Sequence, residues 1–219
     1  MIENRSTVAG RRFVAYSLRI GAMELIPEGR KLKSGRLSPY FFNAGLFNTG
    51  EALRELAAAY AAAIKPLSPE VIFGPAYKGI PIAVSIAFEL GGNVGWAFNR
   101  KEAKDHGEGG IIVGHSLTGK RVVAGDDVIT TSLTARELVK IVRGAGGELV
   151  GYSIAFDRQE RGTAEDGRSG AAQVAEEFGI PVIAASALDD LVVVLDDLSS
   201  QKAKDALKRI LDYRAQFGV

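Results

Sequence analysis

The feature that most limits what this chain can fold into is a regular exchange of two patterns. Short β-branched apolar runs alternate with longer stretches of helical spacing from about residue 48 to residue 188. "EVIFGPA", "VGWAF", "KRVVAG", "LVGYSIAF" and "PVIAASAL" read as buried strands. Between them, "NTGEALRELAAAYAAAI" offers Asn48 or Thr49 as an N-cap and Glu51 in the first turn, with Leu53, Leu56, Tyr60 and Ile64 along one face. "IPIAVSIAFEL" reads as a helix with Pro81 near its start. "TARELVKIVRGAGG" lines up Ala135, Leu138, Val139 and Val142 before glycines end it. Such alternation predicts an α/β fold, a central parallel sheet flanked by helices. Ahead of it lie a short helix around "RRFVAYSLRIGAM" and a polar, turn-rich segment, "PEGRKLKSGRLSPYFF".

Composition narrows the function classes. The 219 residues, 47 % of them hydrophobic, are enough for one domain with a full core, and no repeat or low-complexity tract divides them. Lys and Arg total 27 against 26 acidic residues, so neither nucleic acid nor a membrane surface is an expected partner and any anion site must be local. With no cysteine there are no disulfides and no thiolate metal sites. "MIENRSTVAGRR" lacks the apolar core of a secretory signal, and no apolar run is long enough to span a bilayer. The expectation is a soluble cytoplasmic protein.

In parallel α/β folds, ligands bind beyond the C-terminal ends of the strands. "GPAYKG", "FNRKEAKDHGEGG", "GDDVITTSLT" and "FDRQERG" each follow a central strand and should converge on one edge. In the third, Asp126 and Asp127 close a strand, and Val128 and Ile129 lead to a run of hydroxyls, Thr130, Thr131, Ser132 and Thr134, where a helix begins. Unpaired N–H groups at a helix start, with the helix dipole behind them, can cradle a phosphate. One hydroxyl could equally serve as a plain helix cap. Paired carboxylates at a strand end are acceptors for sugar hydroxyls or, through water, partners for Mg²⁺. One of them could instead cap the following turn.

Arg100, Lys101, Lys104 and His106 crowd a polar loop that ends in glycines, a composition suited to a lid over a leaving polyanion and also to an ordinary solvated loop. Tyr77 and Lys78 stand between glycines, where backbone can approach an anion. Lys33 and Arg36 precede Phe41 and Phe42, which could wall a planar-ring pocket or belong to the core. Arg158, just past a strand, could clamp a carboxylate or ring carbonyl, or form a surface salt bridge. His115 has no partner pattern and reads as structural or exposed.

Taken together, "LKSGRLSPYFFNAGLFNTG", "FGPAYKGIPIA", "FNRKEAKDHGEGG", "DDVIT", "DRQERG" and the closing "YRAQFGV" resemble the bacterial orotate phosphoribosyltransferases. The resemblance implies a type I phosphoribosyltransferase fold over residues 1–219, with a five-stranded parallel sheet and a small hood built from about residues 1–45 and the C-terminal region. It implies transfer of the phosphoribosyl group of phosphoribosyl pyrophosphate (PRPP) to orotate, giving orotidine monophosphate and diphosphate with Mg²⁺ in pyrimidine synthesis. The metal would be held mainly through PRPP and water. It also implies a homodimer whose lid residues reach the neighbouring subunit's site.

Carried over residue by residue, the resemblance makes Lys33, Lys104, His106, Asp126 and Asp127 catalytic. It gives PRPP to Lys33, Tyr77, Lys78, Arg100, Lys101, Lys104, His106 and the run Asp126, Asp127, Val128, Ile129, Thr130, Thr131, Ser132, Leu133 and Thr134. It gives orotate to Phe41, Phe42, Thr130 and Arg158. The chain departs from the family pattern at Ser132 and Leu133, where the family has glycine and threonine, and at Ala124 and Gly125, where β-branched residues are usual. A weakened or reshaped 5′-phosphate site is the expectation. The alternative reading is a catalytically weak relative that binds nucleotide as a regulator, against which the complete lid segment argues.

Overall fold

The computed structural model describes residues 6–32, 34–104, 110–129, 132–162 and 167–219. Helix α1 (Val8–Arg19) leads into an antiparallel ribbon of β1 (Met23–Lys31) and β2 (Leu37–Phe42), with Met23 opposite Phe42 and Lys31 opposite Leu37. Then follow α2 (Gly50–Ile64), β3 (Val71–Gly74), α3 (Gly79–Leu90), β4 (Gly95–Lys104), β5 (Gly110–Gly114), β6 (Arg121–Asp126), α4 (Ser132–Gly144), β7 (Glu148–Asp157), α5 (Gly170–Phe178), β8 (Val182–Ala187), α6 (Leu188–Asp196) and α7 (Gln201–Phe217). Of the two caps proposed for α2, the structure uses Thr49, whose hydroxyl accepts from Ala52 N at 3.2 Å.

The main sheet runs β5-β4-β3-β6-β7-β8, parallel throughout except for the antiparallel edge strand β5. Six strands therefore stand where five parallel ones were expected. The extra strand is the apolar β5, paired antiparallel with β4, which itself continues as far as Lys104 into the polar segment 99–110, expected to be a loop. Residues 27–42, expected to be turns, likewise contribute to the ribbon. The ribbon buries Met23, Tyr40 and Phe42 but interleaves them with polar and turn-forming residues, and the outer half of β4 is polar, so both segments resemble loop by composition.

Strand alternation divides the core. Ile72 and Val123 face one side, with Tyr60 and Ile64 of α2, Ile82 and Ile86 of α3, and Leu191 of α6. Val71, Phe73, Val122 and Ala124 face the other, with Leu138 and Val142 of α4. Tyr40 from the ribbon meets Phe156 at the end of β7 and Tyr213 of α7 edge-on, at 6.0 and 6.2 Å between centroids.

Helix α3 lies very close to the strand ends. A Cβ at Gly74 would fall 2.0 Å from the Gly79 carbonyl oxygen, and one at Gly79 would fall 2.4 Å from Pro75 Cδ and 3.0 Å from the Gly125 carbonyl oxygen. Gly125 is different, since its Cβ would touch Ile82 and Ile86 at an ordinary 3.4 Å. The unusual small residue in β6 thus leaves room for α3, with space for a methyl group and no more. Gly74→Ala should destabilise the protein by about 1–3 kcal/mol through overpacking. Gly125→Ala should stay within about 0.5 kcal/mol of the parent, whereas Gly125→Val should again cost about 1–3 kcal/mol. Urea denaturation midpoints of the three variants check the ranking.

Candidate active site

The C-terminal ends of β3, β6 and β7 bring three of the expected segments together. Asp126, the last residue of β6, is 9 % exposed. Its Oδ2 accepts from the Tyr152 hydroxyl at 3.1 Å and its Oδ1 from Asp127 N at 2.8 Å, while its carbonyl accepts from the Tyr60 hydroxyl at 2.6 Å. Asp127 faces outward. Its Oδ1 accepts from Val128 N at 2.9 Å, and its Oδ2 lies 2.7 Å from Lys78 Nζ. Adjacent positions on a strand end point opposite ways, which is how two like charges coexist here.

Burial, with a smaller contribution from the Asp127 charge, pushes the Asp126 carboxyl up to about 6, against the opposing bonds from Asp127 N and Tyr152. Burial, reinforced by the Asp126 charge, also raises the Tyr60 and Tyr152 phenols, so both remain donors.

Lys78 and Tyr77 sit in the tight β3–α3 turn. The turn is tied to β4 through Ala76 N, which donates to Asn99 Oδ1 at 3.2 Å. Lys101 of β4 lies with Nζ 4.7 Å over the exposed Tyr77 ring, so turn and arm bring two cations to the same edge. Arg100 stands beside Lys101, partly exposed. Val128 and Ile129 are partly buried, each against one of the two cores, and Thr134 is exposed in the first turn of α4. Lys33, His106, Thr130 and Thr131 lie outside the described residues. Of Lys104, Ser132 and Leu133 only the backbone is described: Lys104 ends β4 opposite Gly110, and Ser132 and Leu133 open α4.

The proposed ring pocket is more divided. Phe42 packs in the core, 5.9 Å from Phe156 and 6.1 Å from Phe13, the second of the two readings its position allowed. Phe41 carries the Arg30 guanidinium 4.0 Å above its ring. Arg158 donates from Nε to Glu160 Oε1 and from NH2 to Ser38 Oγ, both at 2.7 Å, and lies 4.3 Å over the Tyr40 ring. His115 is exposed, as read from its isolation.

Tyr60, Tyr152, Ser38 and Glu160 had not been marked as site residues. Tyr60 reads as a core position on its helix, and nothing local shows that its hydroxyl reaches a strand end 66 residues later. Among the described residues, no group of three or more His, Cys, Asp or Glu is placed to hold a metal, and no helix is long and apolar enough to cross a membrane.

A buried and an outward carboxylate, a lysine paired with the outer one, a second lysine over the neighbouring Tyr77 and a helix beginning just beyond are chemically suited to a polyanion that also carries hydroxyls. Residues 47–182 match the family described as Phosphoribosyl transferase domain, so fold and site together define a phosphoribosyltransferase. The chain is 52 % identical to an orotate phosphoribosyltransferase of Stenotrophomonas maltophilia, over 100 % of its own length and 98 % of the relative's. It is 44 % identical to one of Bordetella bronchiseptica, over the whole of both chains. The solved orotate phosphoribosyltransferase of Francisella tularensis superposes with a TM-score of 0.80 at 32 % identity, covering 94 % of this chain and 99 % of that one. The chain belongs to the orotate phosphoribosyltransferase family.

The raised Asp126 carboxyl has a consequence for stability. Its folded value is about 6 and its unfolded value about 4, so protonation favours the folded state. That contribution is present below about pH 4 and is lost as pH rises through about 6. Asp126→Asn removes it. The stability of Asp126→Asn relative to the parent should therefore be higher at pH 7 than at pH 4, by on the order of 2 kcal/mol. Urea unfolding at both pH values measures this, and a pH-independent difference would contradict the buried-charge account.

Proposed function

We propose that the chain transfers the phosphoribosyl group of PRPP to orotate, releasing diphosphate, in a Mg²⁺-dependent reaction carried out by a homodimer. The observation that carries this reading is the strand-end pair Asp126–Asp127 with Lys78 at 2.7 Å from the outer carboxylate. The pair supplies acceptors for the two ribose hydroxyls. When the diphosphate arrives it competes for Lys78, and Asp127 is released toward the sugar. Backbone N–H groups at the start of α4 take the 5′-phosphate, to which Thr130, Thr131 and Thr134 are also assigned. The β1–β2 ribbon and the C-terminal segment serve as the hood over the ring end.

Breaking the C1–O bond to diphosphate leaves positive charge on the ribose and negative charge on the leaving group. A ring nitrogen of orotate then bonds to C1 and gives up its proton to an oxygen of the departing diphosphate or to solvent. In this reading Lys78, Arg100, Lys101, Lys104 and His106 are assigned to the leaving group, and Lys33 to both substrates. The carboxylates at the end of β6 favour the cationic sugar. Closure of the arm excludes water from the ribosyl cation.

The donor set suits a metal that enters with the substrate. Asp127 is half of an ion pair and the Asp126 carboxylate is already engaged, so neither is prearranged as a cation cage. Mg²⁺ bound to diphosphate oxygens would neutralise the leaving group.

The exposed apolar side chains of Val84 and Phe88, one turn apart on α3, and of Trp96, stacked on Phe98 of the adjacent β4, support a dimer through this side of the sheet. The full-length likeness to enzymes named for this reaction disfavours the regulator reading.

Purified protein given PRPP and Mg²⁺ should lower orotate absorbance. Lys104→Ala should reduce turnover about a hundredfold with little change in melting temperature, the loss expected on removing one transition-state cation. Unchanged turnover would remove Lys104 from the mechanism. Phe88→Glu should shift the particle toward monomer in light scattering; a mass unaltered by this change would move the interface elsewhere.

A further inference from the structure

The loop after β7 holds a charge cluster that links three parts of the fold. Glu160 Oε1 accepts from Arg158 Nε at 2.7 Å and from the Tyr40 hydroxyl at 3.3 Å, and Arg158 NH2 is 2.6 Å away. Its Oε2 lies 3.4 Å from Arg36 NH1 of the ribbon turn. The side chains of Glu160, Arg36 and Arg158 are only 11 %, 18 % and 22 % exposed. Arg36 also donates to the Arg161 carbonyl at 2.7 Å and lies 4.9 Å over Phe217.

We propose that Glu160 is a positioning residue for orotate recognition: held by Arg36 on one side, it fixes the plane and roll of the Arg158 guanidinium that meets the substrate. The inference rests on the reading of Arg158 as the orotate contact. The Tyr213 hydroxyl acts on both Arg158 and Glu160, and Nε and NH2 of Arg158 are turned toward Glu160 and Ser38, which leaves NH1 as the nitrogen engaged by neither. Its two N–H groups lie in the guanidinium plane, which the Tyr40 ring supports from one face. A flexible arginine would have to be ordered by the substrate; this one is ordered in advance.

The charges favour the same conclusion. A carboxylate next to an anion-binding arginine would repel an anionic substrate. Two guanidinium groups surround this one, so the cluster carries one net positive charge. Orotate carries one negative carboxylate at neutral pH. Glu160 thus trims the field to a monoanion while fixing donor geometry.

The loop itself is anchored independently. Gln159, in the left-handed region at φ 50°, donates from Nε2 to Asp189 Oδ2 and accepts from Asp189 N on Oε1, both at 2.9 Å. Its carbonyl accepts from Val219 N at 3.0 Å, and Arg214 holds Asp189 at 2.8 Å. Changing Glu160 therefore leaves the path of the backbone in place.

The test is steady-state kinetics of the full chain with each substrate varied in turn, on Glu160→Gln, Arg158→Lys and the double variant. Glu160→Gln should raise the orotate KM about tenfold, a loss typical of one binding contact, while the PRPP KM stays within about twofold. Arg158→Lys should raise the orotate KM at least as much, and the double variant should be no worse than Arg158→Lys alone, because Glu160 acts through the fork that lysine lacks. Equal rises for both substrates, or effects that multiply in the double variant, would mark Glu160 as a plain structural tie and overturn the proposal. An orotate KM unmoved by Arg158→Lys would instead remove Arg158 from the ring site, and Glu160 with it. Should Glu160→Gln fail to fold, Glu160→Asp keeps the charge but withdraws the carboxylate by one methylene. An unchanged orotate KM there overturns the inference equally.

Discussion

The close seating of α3 on the ends of β3 and β6 is the constraint on which the rest of the site depends. Gly74 and Gly79 allow the helix start to touch the strand it follows, and Gly125 lets Ile82 and Ile86 lie on the neighbouring strand. A helix seated a methyl group higher would carry Lys78 away from Asp127, and the turn would lose its reach to Asn99 of β4. The same small residues that weaken β6 as an isolated strand are therefore what places its terminal carboxylates opposite a cation. Packing density here sets electrostatics.

The two aspartates divide their tasks by environment alone. Asp126 is inside, held by a phenol from the next strand and by the amide of its neighbour, and its backbone is held by a second phenol from α2. Asp127 is outside, neutralised by a lysine that a polyanion can recruit. A buried carboxyl raised in this way is costly for the resting protein. Preorganisation at this edge is thus built from tyrosines as much as from the acids.

Much of this was legible in the sequence because it follows from periodicity. The β3, β6 and β7 runs, the apolar faces of α2 and α4, and the convergence of segments beyond the strand ends all come from patterns a few residues long. The hairpins did not show, because "NRKEAK" carries the polar side chains of a surface and the ribbon mixes its core residues with turn formers. The phenols of Tyr60 and Tyr152 were hidden among core positions, since a hydroxyl's partner is set by tertiary contact. Arg158 was visible as a clamp, but its partners were not. Ser38 and Arg36 lie more than a hundred residues upstream, and the closing segment that braces the same loop stands at the end of the third helix after it.

That bracing has a bearing on the order in which the molecule is made. The carbonyl of Gln159 is capped by Val219 N, and Arg161 N and Nε are bound to the Phe217 and Gly218 carbonyls, about sixty positions further along the chain. During vectorial synthesis the paired acids of β6 and the β3–α3 turn are made well before those capping atoms exist. The strand-end edge that holds Asp126, Asp127 and Lys78 can thus order on the nascent chain, whereas the Arg158–Glu160 loop waits for the last turn of α7.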